Sequence, residues 1–270
     1  NYTTPDSPDS GVPYSLLALK RMFSAWDRAV GNGWPAVYLG NHDQPRMLSR
    51  FGNDVPAFRE ISAKMLATFL LTLRGTPYWF AGDELGMVNP GFGHIEEYRD
   101  VATLNQYKEI KRKKGSPERF LETQKQISRD NARTPMQWDS SLYAGFSSVQ
   151  PWIRVNPDYR EWNVAEEEKN PDSVLNYFRK MVAFRKANRA LVRGNYTLIE
   201  ANNPQVYAYW REDDRQKFLI ALNFSQYATE FSPGIDGEEL ETVLGNYTDY
   251  RVLGKTNRLR PYEALIFKRR

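Results

Sequence analysis

The chain has no cysteine among its 270 residues and only two histidines, His42 and His94, set far apart in the sequence. The first absence excludes disulfides and thiol nucleophiles. The scarcity of histidine leaves metal coordination to dispersed carboxylates, so neither a metal site nor a cofactor is expected. No segment approaches the roughly 18 to 20 consecutive apolar residues that a membrane-spanning helix needs, and no membrane partner is expected. Charge of one sign is lacking too: 37 Lys and Arg stand against 33 Asp and Glu. The basic residues are scattered and form no stripe, which argues against a nucleic-acid partner. A hydrophobic content of 41% is enough for the packed core of one large domain, or of a large piece with a smaller one.

What is present is strongly patterned. In "SLLALKRMFSAWDRAV" (15–30), Leu16, Leu19, Met22, Phe23, Trp26 and Val30 recur at helical spacing, and "GNG" ends the run. "WPAVYL" then reads as a buried strand. "EISAKMLATFLLTLRG" follows as a second helix and "TPYWFA" as a second short strand. Helix, strand, helix, strand at this spacing points to parallel strands joined by helical crossovers. From Val88 to Asn170 the period weakens, leaving one helix near 102–113 and a long loop-rich segment of the kind that tends to be functional. Asn170 as cap and Pro171 in the first turn predict a helix over 171–187, with Val174, Tyr177, Phe178, Met181 and Val182 on its apolar face. After Gly194 the period changes to two. "NYTLIEA", "VYAYWRE", "KFLIALNFS" and "YEALIFKR" predict a small antiparallel β domain, and the boundary is drawn near residue 191.

Both early strands end in polar clusters, "NHDQPR" after the first and "GDEL" after the second. In parallel α/β architectures the carboxyl ends of the strands share one face, where catalytic groups collect. Asn, Asp and Pro are equally ordinary turn and cap residues, so the first cluster also reads as the start of the next helix. No serine-nucleophile motif, phosphate-cradling glycine loop or metal-ligand set accompanies it.

The segments "GNHDQPR", "RGTPYWFAGDELGM", "EYRDVATLNQY" and "RDNARTPMQWD", in this order and at these intervals, resemble the carboxyl-terminal half of glycoside hydrolase family 13. The group they resemble is that of the oligo-1,6-glucosidases and α-glucosidases, and the likeness extends to the terminal "LRPYEALIFK". It implies an α/β fold: the carboxyl-terminal part of a (β/α)8 TIM barrel over 1–190, with a small antiparallel β-sandwich domain over 191–270. The element count agrees, because a full barrel takes eight βα units in about 250 residues and only two units fit before residue 191.

The resemblance further implies a retaining glycosidase acting on an oligosaccharide, whose aspartate nucleophile and glutamate acid/base sit on earlier strands. Those residues are absent from this sequence, and the missing amino-terminal barrel half is the expected partner. Asp43 matches the family's third acid, a stabiliser of the transition state that holds the 2- and 3-hydroxyls of the sugar. His42 and Arg129 match groups that bind the same sugar. Arg46 is placed with the substrate-binding set as a support for the charges of the pocket, Arg133 is expected to be structural, and Asp83 and Glu84 are expected in supporting roles. One departure is Ala102, where close relatives tend to carry a glutamate facing the neighbouring subsite. Alternatives on the same resemblance are a sucrose isomerase or transglycosylase, and a non-catalytic scaffold like the heavy chains of amino-acid transporters.

Overall fold

A computed structural model describes residues 14–234, 239–249 and 257–270. Along the chain the helices are α1 (Leu16–Val30), α2 (Met47–Phe51), α3 (Pro56–Thr72), α4 (Val101–Arg112), α5 (Pro117–Ile127), α6 (Val164–Lys169), α7 (Val174–Ala187) and α8 (Arg189–Arg193). The strands are β1 (Ala36–Val37), β2 (Thr76–Pro77), β3 (Asn195–Ile199), β4 (Val206–Glu212), β5 (Lys217–Asn223), β6 (Thr229–Glu230), β7 (Leu240–Gly245), β8 (Arg258–Leu259) and β9 (Ala264–Arg269). The chain forms two compact units. Among the described residues, one gathers 14–38, 51–78 and those from 176 onward, and the other 39–50 and 79–175.

In the first unit α3 is the central helix. Met65, Leu66, Ala67, Phe69 and Leu70 are all buried, and the helix is apolar nearly all round, the pattern of a core helix. Its polar residues bond inward: Thr72 Oγ1 meets the Tyr209 hydroxyl at 2.5 Å, and Thr68 Oγ1 meets that of Tyr177 at 2.7 Å. Arg185 of α7 donates to the carbonyls of Leu71 (2.6 Å), Leu73 (3.2 Å) and Gly75 (2.7 Å), so one guanidinium satisfies carbonyls left over where α3 ends.

β1 and β2 pair in parallel, Ala36 with Thr76 and Val37 with Pro77, as the α-β-α-β order predicts. Two corrections follow. The ladder is only two residues long: Thr76 N donates to Pro35 O at 2.9 Å and Tyr78 N to Val37 O at 2.8 Å, and Pro35 has no N–H to extend it toward the amino end. Nor is the first strand buried: Val37 is, but Ala36 is exposed, and Trp34, Tyr38 and Tyr78 lie open to solvent. Among the described residues β1 and β2 have only each other as partners, so one side of each strand is uncovered.

Beyond Gly194 the period-two reading holds. β3, β4, β5, β9 and β7, in that spatial order, make one antiparallel five-stranded sheet, and β6 and β8 form a separate two-stranded ribbon. Val206, Ala208, Leu219, Ala221, Leu265 and Phe267 line one face and pack with Phe231 and Leu259. Tyr207 of the other face packs at a tilt on Phe69 of α3, with ring centroids 4.9 Å apart. Covered on both faces, β4 and β5 are almost wholly buried.

In the second unit the stretch read as loop contains an unforeseen helix, α5. Its signal was in the sequence, since Ser116 caps it by accepting from Arg119 N at 3.2 Å and Pro117 opens it. The helix expected over 171–187 starts later, at Val174. Asn170 instead ends α6 and turns its side chain to Asp172 N (3.0 Å), while Glu167 takes the Leu175 N–H of the first turn at 2.9 Å.

Candidate active site

Leaving β1, the chain enters the second unit and turns sharply. Asn41 Oδ1 accepts the Asp43 N–H at 2.8 Å, an Asx turn that leaves the Asp43 carboxylate half exposed. His42 is the most open of the group, with its side chain 71% exposed and Nε2 lying 3.3 Å from Asp43 Oδ2. The other carboxylate oxygen, Oδ1, receives Arg133 Nη2 at 3.1 Å and Arg129 Nη1 at a longer 3.4 Å. Arg133 also donates Nε to the His42 carbonyl at 2.9 Å, so it grips both the backbone and the side chain of the motif.

Two further acids stand behind the arginines. Asp100 caps α4 through Thr103, whose N–H and hydroxyl both reach Oδ2 at 3.0 Å, and its Oδ1 takes Arg129 Nη2 at 2.7 Å. Burial raises its pKa, but the Thr103 and Arg129 bonds outweigh that and hold the carboxyl below its usual range. Asp130 is fully buried and lies 3.3 Å from Arg133 Nη1. The cluster therefore sets two guanidinium groups against three carboxylates, of which only Asp43 is well open.

Arg46 is placed differently from its three companions. Its side chain is 2% exposed and bonds to Ala81 O (2.7 Å) and Thr134 Oγ1 (3.3 Å), stacked 5.5 Å from the Phe80 ring. Asp83, 4.0 Å away, is buried as well. Burial pushes its carboxyl up to about 7, against the pull of Arg46. Glycine is needed on both sides of this pair. Gly82 has φ +97°, where a Cβ would lie 2.8 Å from Arg46 Nη1, and at Gly40 a Cβ would lie 2.7 Å from Asp83 Oδ2. Glu84 folds back to accept the Gly82 N–H at 2.9 Å. Arg46 and Arg133 both line a cavity of about 280 Å³, with Phe80, Thr134, Phe146 and Trp152 among its walls. Ala102 is exposed on the first turn of α4.

The structure thus brings His42, Asp43 and Arg129 together and buries Arg46, which bonds Ala81 and Thr134 instead. Arg133, expected to be structural, is the nearer of the two arginines to Asp43. Asp100 and Asp130 were not anticipated at all. Their signals were the cap position in "RDVAT" and the alternating charges of "RDNAR".

Comparison with known proteins decides the family. The profile described as "Alpha amylase, catalytic domain" matches residues 4–194, and that of "Maltogenic Amylase, C-terminal domain" matches 196–266. The chain belongs to the alpha-amylase family, glycoside hydrolase family 13. The family fold is a TIM barrel. The oligo-1,6-glucosidase of Bacillus cereus is 45% identical over 260 residues, 95% of this chain and 46% of that protein. That of Parageobacillus thermoglucosidasius is 44% identical over 261 residues, again 95% of this chain and 46% of the relative. Among solved structures, the trehalose-6-phosphate hydrolase of Bacillus licheniformis superposes with a TM-score of 0.90 at 37% identity, covering 99% of this chain and 49% of that one. The isomaltulose synthase of Erwinia rhapontici NX5, solved with sucrose, gives 0.88 at 38% identity, with coverages of 94% and 46%. The chain of this family 13 member spans about half the length of the relatives it matches.

Proposed function

We propose that the chain is the carboxyl-terminal part of a retaining, exo-acting α-glucosidase that hydrolyses α-1,4- or α-1,6-glucosidic bonds in short oligosaccharides. In this reading residues 1–190 contribute the last strands and helices of the barrel and 191–270 form a β-sandwich domain. The nucleophile and acid/base come from the preceding part of the barrel, and this chain alone is inactive. The supporting observation is the state of Asp43: a half-exposed carboxylate whose Oδ1 is held by Arg133 and Arg129 while Oδ2 stays open beside His42.

Such a group accepts a hydroxyl of the bound sugar. Its hydrogen bond strengthens as positive charge develops on the ring, so the benefit falls on the transition state. His42 and Arg129 bind the edges of the same sugar, and Arg46 underpins the loop. In the intact protein, Asp43→Ala should lower kcat/KM on 4-nitrophenyl α-glucoside by about 10²-fold or more. Near-normal turnover would sink the assignment.

A second reading, isomerisation of sucrose, is favoured by the likeness to the isomaltulose and trehalulose synthases. Identities of 40–45% to four oligo-1,6-glucosidases, against 36–38% to those synthases, weigh toward hydrolysis. Product analysis on sucrose separates the two: glucose and fructose for a hydrolase, an isomeric disaccharide for a synthase.

A further inference from the structure

Asp130 does not touch Asp43, yet its contacts control both arginines that do. Its Oδ2 accepts the backbone N–H groups of Arg99 and Asp100, each at 2.7 Å. Its Oδ1 faces Arg133 Nη1. The Arg99–Asp100 segment is where α4 begins, and Asp100 in turn takes Arg129 Nη2 through Oδ1. One fully buried carboxylate therefore anchors Arg133 directly and Arg129 through the anion it fixes.

The need for charge here is physical. A guanidinium offers a planar fork that closes on a carboxylate with two parallel bonds when nothing else competes for it. Arg133 and Arg129 each spend part of the fork on Asp130 or Asp100, and each gives Asp43 a single contact on the same oxygen. Among the described residues no arginine bonds Oδ2 of Asp43, which His42 Nε2 approaches at 3.3 Å. We propose that Asp130 and Asp100 are positioning residues that hold both arginines off Asp43 Oδ2, leaving that oxygen, beside His42 Nε2, to take the sugar's 2-hydroxyl. This rests on the reading of Asp43 given above.

The test uses the intact protein that contains this chain. kcat and KM are measured on 4-nitrophenyl α-glucoside and on its 2-deoxy analogue, for the wild type and for Asp130→Asn, Asp100→Asn and Asp43→Asn, with thermal melts alongside. Asn is as good an N-cap as Asp, so Asp100→Asn keeps the start of α4 even if Asp130→Asn folds poorly. Both variants should lose about 10- to 100-fold in kcat/KM on the glucoside, mostly in kcat. Both should also lose most of the wild-type preference for the 2-hydroxyl substrate. Loss of rate with that preference intact overturns the positioning role, because a merely structural residue would lower both substrates alike. If Asp43→Asn itself keeps the preference, the assignment of Asp43 to the 2-hydroxyl fails instead, and the positioning role falls with it.

Discussion

Arg133 holds the main chain of His42 and the carboxylate of Asp43 with one guanidinium, through Nε at 2.9 Å and Nη2 at 3.1 Å. Ninety positions separate Arg133 from Asp43, and the side chain joins the two loops into one site. Lysine carries its donors on a single Nζ and lacks the planar fork whose separate Nε and Nη2 meet these two acceptors. Arg133→Lys in the intact protein should therefore reduce kcat/KM by about 10-fold or more, with little change in melting temperature. Steady-state kinetics and calorimetry on the same preparation check this.

Asp83 makes stability depend on pH in an unusual direction. Burial holds its carboxyl at about 7 in the folded chain, while the unfolded chain ionises it near the ordinary value of 3.8. Between those two values the unfolded state has released a proton that the folded state keeps. This group's contribution to stability is therefore complete at low pH, shrinks as pH rises through the window, and is flat above it. Asp83→Asn removes the effect. Urea titrations at about pH 5 and about pH 8 should show the wild type losing more stability between them than the variant. Equal losses would mean that Asp83 titrates as an ordinary surface acid.

Gly82 stands at φ +97° against the Arg46 guanidinium. Gly82→Ala adds both backbone strain and a collision with a packed, buried side chain. The expected cost is about 3 kcal/mol, read from chemical denaturation. A change within about 0.5 kcal/mol would show that the turn relaxes freely.

Arg211 is buried in the sheet facing α3, donating to the carbonyls of Thr72, Gly194 (2.9 Å) and Asn195 (3.2 Å). Replacing it by methionine leaves all three acceptors without this donor. Arg211→Met should cost about 3 kcal/mol, again by denaturation. Since the residue is remote in sequence from the Asp43 cluster, KM on the glucoside should hardly move.

Much of the architecture was legible because it follows from local rules. The helical spacing of Leu16, Leu19 and Phe23 located α1, and the switch to period two after Gly194 located the antiparallel strands. Where the reading slipped, the competing interactions were ones that periodicity does not carry. β1 and β2 are only two residues long, since Pro35 has no N–H to extend their ladder and, among the described residues, neither strand has a second neighbour. α7 begins at Val174 because Asn170 and Glu167 serve the join with α6 instead. α5 carries its signal in "SPE", but its few apolar positions set up no helical period.

By itself the sequence determined the family and the candidate Asp43, since "GNHDQPR" and "RDNARTPMQWD" are specific strings whose order and spacing survive without coordinates. It also determined the element types, because side-chain period and caps act within a few residues. Only the tertiary structure decided how the charges divide. It buried Arg46 and Asp83 4.0 Å apart, brought Arg133 onto Asp43, and set Asp100 and Asp130 against the arginines. Apart from Asp130 and Arg133, which lie three positions apart, those pairings join residues 29 to 90 positions apart. An ion pair depends on distance and on exposure to water, and neither is written in the spacing of a one-dimensional chain.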